Sequence, residues 1–203
     1  HGEERDAVRS QRPGPCRRDF RCDRNQLHPG SGKHQHGRRM VPGLIPIETQ
    51  IAAMEQRWPD FALVQRIGRR AVWEGALDPV CKRYRVRIGY EVPLAIENFS
   101  ILNVQPRVQV LSPRLERHPE YEEGPIPHVY VNRAEQSLPY LCLFDPFNGE
   151  WTPSDLLAET TVPWAARYLY FYEGWLLTGK WSGGGRHPTQ EELDGTQRPK
   201  AIA

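Results

Sequence analysis

Between Lys82 and Tyr90, the apolar residues Tyr84, Val86 and Ile88 alternate with Arg83, Arg85 and Arg87. A period of two sends successive side chains to opposite faces of a strand, so this segment belongs in a sheet with one face buried and the other wet. Arg70 to Leu77 and Arg107 to Leu111, the latter carrying Val108 and Val110, read as further strands. Asp78-Pro79 and the region of Pro93 supply turns between the runs, and the outline is an antiparallel meander.

Helical spacing flanks that meander. From Ile47 to about Ile67, the residues Ile47, Ile51, Met54, Trp58, Phe61, Ala62 and Leu63 recur at steps of three and four. This predicts an N-terminal helix that ends before Pro59 or kinks there. After Ser154, a long apolar pattern runs through Leu157, Val162, Ala165, Tyr168, Leu169, Tyr172 and Trp175. Thr152-Pro153-Ser154-Asp155 provides a helix-opening signal, Pro163 is expected to split the pattern into two helices, and Thr178-Gly179 closes it. Helix, meander, extended segment and C-terminal helices together make an α+β fold.

With 203 residues the chain suits one domain. Residues 1–39 hold ten Lys and Arg against five Asp and Glu, a balance of +5 against −3 for the remainder, with almost no aliphatic residues. Such a segment buries too little apolar surface to offset its ordering, so 1–39 is expected to be a disordered basic arm or a non-native leader, with Met40 a candidate natural start. The domain is expected to span 40–181 and a flexible tail 182–203. Cys16, Cys22, His28, His34 and His36 are spaced too evenly for a zinc site, which favours a tight Cys pair. The arm also lacks interleaved aromatics for nucleic acid. No apolar run reaches the roughly 18 residues of a membrane span. No export signal is seen, so a cytoplasmic protein with reduced thiols is expected, and Cys81 reads as a structural thiol. His118 and His187 read as solvated loop histidines. Phosphate-loop, Rossmann and zinc-protease motifs are missing, and no cofactor or metal is expected.

The specific signal lies in Ile126-Pro127-His128-Val129-Tyr130, a polar loop from Asn132 to Ser137, Leu141-Cys142-Leu143, and then Glu150-Trp151-Thr152-Pro153 ahead of the helical pattern. In order and character, residues 125–181 resemble the catalytic half of ubiquitin-conjugating (UBC-fold) enzymes. Those show a His-Pro-Asn motif, an apolar pair, a polar loop, an apolar-Cys-Leu nucleophile, a Trp-Ser-Pro turn and a Leu-rich helix. Pro163-Trp164 and the closing Trp181, Gly183, Gly184, Gly185, His187 and Pro188 look like the bacterial branch found in antiphage (CBASS-like) operons with a nucleotidyltransferase. Two departures stand out. Only Pro127 of the His-Pro-Asn motif is kept, with His128 where the family has Asn and Ile126 where it has His, and the interval to Cys142 is longer than usual.

The resemblance implies a UBC-like fold and a transferase that holds a protein carboxyl terminus as a thioester on Cys142 before passing it to a lysine. A thiol suits this task, because a thiolate attacks readily and its ester remains open to amines. His128 stands as a substitute hydrogen-bond donor to the oxyanion. Asp145, Glu150 and Asp155 are candidates for orienting the lysine or tuning the thiol. Implied partners are a protein with an activated C-terminus, such as a cGAS-like nucleotidyltransferase, and an adenylating enzyme, since no adenylation motif is present in this sequence. A different class is also consistent with the incomplete motif: a catalytically inactive UBC-fold binding module, in which Cys142 is a small buried hydrophobe.

Overall fold

A computed structural model describes residues 43–94 and 105–185. The basic arm, the candidate zinc residues, most of the expected tail and His187 lie outside the described residues. Helix α1, Ile47–Arg57, opens the fold and buries Ile47, Gln50 and Met54, one stripe at helical spacing. It stops at Trp58, whose N–H donates to the Met54 carbonyl at 2.8 Å, because Pro59 disfavours helical backbone in the residue before it.

Four strands follow as an antiparallel sheet in the order β1 (Ala62–Ile67), β2 (Arg70–Leu77), β3 (Tyr84–Glu91) and β4 (Arg107–Ser112). The alternation in β3 is realised in full: Tyr84, Val86, Ile88 and Tyr90 are buried, with Arg85 and Glu91 exposed. Each such apolar side chain contributes about 1.5–3 kcal/mol on burial. On the wet side, Glu74 of β2 faces Arg87 across the pair and bonds both its Nε (2.9 Å) and Nη2 (2.7 Å), with Arg85 completing the cluster.

Strand β1 corrects the helical reading of Ala62 and Leu63. It is an exposed edge strand, and the buried residue of that stretch is Phe61, just before it. Phe61 packs so closely on Gly75 of β2 that a Cβ there would fall 2.5 Å from the ring. Tertiary fit overrides local spacing here, because the apolar residues at 61–63 continue the α1 period only by coincidence.

The C-terminal reading needs a second correction. One helix, α2 (Thr161–Thr178), replaces the expected two. Pro163 sits within its first turn, where a missing N–H costs no helical bond. The Thr152–Asp155 signal is spent on a turn instead: the Asp155 carboxylate accepts the Thr152 N–H at 2.7 Å and its hydroxyl at 2.9 Å. Gln50 of α1 ties into this turn, donating to the Asp155 carbonyl (2.9 Å) and accepting from the Leu157 N–H (3.0 Å). Gly179, with φ of 72°, caps α2 in the left-handed conformation that glycine favours.

A single core joins α1, the inner sheet face and α2, centred on Met54, Trp73, Val86, Ile88, Val108, Leu169 and Trp175. The stretch between β4 and the Cys142 segment is held on α2 by side chains. Trp175 Nε1 donates to the Glu122 carbonyl (2.7 Å), Tyr168 Oη to the Pro127 carbonyl (2.7 Å), and Tyr172 Oη accepts from the Glu116 N–H (2.6 Å). His118 is part of that anchorage rather than a solvated loop histidine, stacking on Tyr121 at 4.5 Å and meeting the Trp175 ring edge-on. Cys81 is disulfide-bonded, which corrects its reading as a reduced thiol. Among the described residues, no helix is long and apolar enough to cross a membrane.

Candidate functional site

Cys142 follows a two-strand ribbon made of β5 (Val129–Tyr130) and β6 (Tyr140–Leu141), paired Val129 with Leu141 and Tyr130 with Tyr140. The polar loop between them is folded by Asn132, a buried residue that sequence reasoning passed over. Its carbonyl oxygen accepts from the Ala134 and Glu135 N–H groups, and its amide donates to the Leu138 carbonyl at 3.0 Å. An Asn at the head of a polar loop, able to accept from backbone N–H groups two and three residues on, is the signal that could have found it. One step beyond the ribbon, the Cys142 N–H donates to the His128 carbonyl at 2.8 Å. The sequence-expected pair is therefore brought together, through backbone.

Cys142 is 7% exposed, yet it lines a cavity of about 630 Å³. His128, Asp145, Glu150, Trp164, Arg167 and Trp181 line the same space. Its wall is aromatic: Trp181 meets Tyr168 at 5.5 Å and Phe171 at 6.0 Å, while Phe144 meets Trp164 at 5.5 Å. Trp181 thus belongs to the site, and the aromatic run of α2 contributes to the wall as well as to the core.

Around the sulfur, Tyr130 Oη lies at 3.2 Å and the Phe144 carbonyl at 3.8 Å. Register explains the first contact. Tyr130 and Cys142 fall on the same face of the ribbon, diagonal to one another, within reach of a long aromatic side chain. Burial pushes the Cys142 thiol pKa up, the hydrogen bond with Tyr130 opposes that, and the Asp145 and Glu150 charges add to the rise. Burial likewise raises Tyr130, reinforced by the charge and hydrogen bond of Cys142, so its phenol stays protonated.

His128 has an uncommon backbone for a non-glycine residue, with φ of 48°. Its ring is held on two sides, Nε2 at 2.9 Å from Glu123 Oε2 and the plane stacked on Trp181 at 5.2 Å. Asp145 is buried and caps the one-turn 3-10 helix Pro146–Asn148, accepting from the Phe147 N–H at 2.9 Å, while its own N–H donates to Glu150 Oε2 at 2.8 Å. Both acids reach the cavity. Asp155 is not among the cavity-lining residues and serves the turn already described.

The cysteine at the rim of the ribbon, the adjoining cavity and the covering helix lie within the stretch that family comparison matches: the model described as Type II CBASS E2 protein covers residues 50–188. The chain belongs to that family. The matched span takes in most of α1, the whole sheet, the Cys142 segment and α2. No curated protein matches the chain. As a CBASS E2 protein it has an E2-like role in CBASS antiphage defence, alongside other CBASS proteins, on a framework that among the described residues is α+β, with a four-stranded antiparallel sheet and two α-helices.

Proposed function

We propose that this CBASS E2 protein, on a UBC-like framework, carries the carboxyl terminus of another protein as a thioester on Cys142 and delivers it to a lysine. The observation that carries this reading is the placement of the Cys142 sulfur: at a cavity wall, 3.2 Å from a hydroxyl, with carboxylates nearby. In the loading step the thiolate attacks an activated carboxyl group, supplied as an adenylate or as another enzyme's thioester, and expels the activating group. In transfer, a lysine amine attacks the same carbonyl carbon, the C–S bond breaks with its electron pair returning to sulfur, and the amine's surplus proton leaves through a base. Asp145 and Glu150 are the carboxylates positioned to orient that amine. His128 acts as a positioning residue, its carbonyl fixing the Cys142 amide while Glu123 and Trp181 hold its ring. The protein loaded would be a cGAS-like nucleotidyltransferase, and activation comes from an adenylating partner. We assign the reaction to the cytoplasm, and the reading requires that Cys142 itself remain a free thiol there.

Low exposure of the sulfur and its raised pKa favour a second reading, a binding module without chemistry. One experiment separates the two. Incubated with its adenylating partner and the activated protein, the wild type should form a reductant-sensitive adduct that Cys142→Ala abolishes. An adduct that survives the substitution refutes the role of Cys142, and a wild type that never forms one supports the module.

A further inference from the structure

We infer that Tyr130 is a catalytic residue of this site, its phenol O–H donating a hydrogen bond to the Cys142 sulfur whenever that sulfur carries negative charge. The inference rests on the thioester reading for its biological role, but the geometry stands by itself. Tyr130 Oη lies 3.2 Å from Sγ, within hydrogen-bonding range for sulfur. The pairing of Tyr130 with Tyr140, two residues before Cys142, fixes both side chains on one face, so the contact is set by ribbon register rather than by a chance rotamer.

Chemical need points the same way. Sulfur is negatively charged at two moments of the cycle, as the attacking thiolate and as the leaving thiolate when an amine displaces it. In both, the electron pair rests on Sγ, and a protonated phenol beside it stabilises the charge without changing the balance of atoms. The alternative donor is otherwise engaged: the His128 ring is bonded to Glu123 and stacked on Trp181. Groups facing the sulfur and cavity from the surrounding elements are Asp145 and Glu150, which oppose a thiolate, and Arg167 and His128 on the cavity wall. The buried Tyr168 hydroxyl is already spent on the Pro127 carbonyl. The side-chain partner of this sulfur is the Tyr130 hydroxyl, which accepts from the neutral thiol at 3.2 Å and is placed to donate in return once the sulfur is charged.

The test is alkylation of Cys142 in the folded, full-length protein, followed by peptide-resolved mass spectrometry with iodoacetamide across pH. Tyr130→Phe keeps the ring and removes only the hydroxyl. Loss of one charge-assisted hydrogen bond should shift the profile alkaline by about one pH unit, so that labelling near neutral pH slows roughly tenfold while the high-pH plateau is retained. A tyrosine with a purely structural role would not move the midpoint. Coincident profiles, or a Cys142 that resists labelling at every pH, overturn the inference. A shifted profile in a protein that never carries an adduct upholds the hydrogen bond and removes thioester transfer, so the two readings fail separately.

Discussion

At the scale of single residues, His128 meets the Cys142 backbone with its carbonyl while its ring is held elsewhere. Sequence order marked it as the substitute for the family's Asn, and it does adjoin Cys142, but through its carbonyl. Neither the φ of 48° nor the stacking on Trp181, 53 positions away, leaves a trace in local composition. With the ring acting as a brace, His128→Ala should slow loading and transfer together, roughly tenfold each by displacing the nucleophile. Single-turnover assays of the two half-reactions check this, and loss of transfer alone would return the ring to an oxyanion role. Cys142 was legible from its apolar neighbours and the Trp-Thr-Pro that follows. Tyr130 was visible only as an apolar strand residue, because its reach to sulfur depends on which residue of β6 it faces.

Among elements, the strands were the most readable and the helix ends the least. Period-two alternation in β3 survives translation into three dimensions because both faces of a sheet impose it on every residue. Helix boundaries depend instead on which of several competing bonds a polar side chain makes. Asp155 could have capped a helix, yet its carboxylate closes a turn, and the helix begins six residues later at Thr161. Gln50 was invisible as a structural residue, since one polar residue in the first turns of an amphipathic helix looks solvent-facing. Buried completely, it satisfies a carbonyl and an N–H of the turn ahead of α2. Gln50→Leu leaves both unpaired and should cost roughly 2–4 kcal/mol, read as a lowered denaturant midpoint with an unchanged slope.

For the whole molecule, one core shared by both helices and the sheet makes global unfolding the natural readout of surface electrostatics as well. Burial pushes the Glu74 carboxyl up, but Arg87 and then Arg85 outweigh it, leaving the pKa below its ordinary 4.5. The stability this pairing contributes is complete above the ordinary value and is lost as pH falls through the depressed one. Urea midpoints measured between pH 7 and 2 should therefore fall less steeply below pH 4.5 for Glu74→Gln than for the wild type. The α+β outline was available from periodicity, whereas the cavity beside Cys142 was not, because Trp164, Trp181 and Glu150 converge only after the chain has doubled back. Its closing residues matter mechanically: Trp181 presses on the His128 ring, and the His128 carbonyl grips the nucleophile's amide. A displacement of Trp181 is thereby passed to the Cys142 backbone through one ring face and one peptide oxygen.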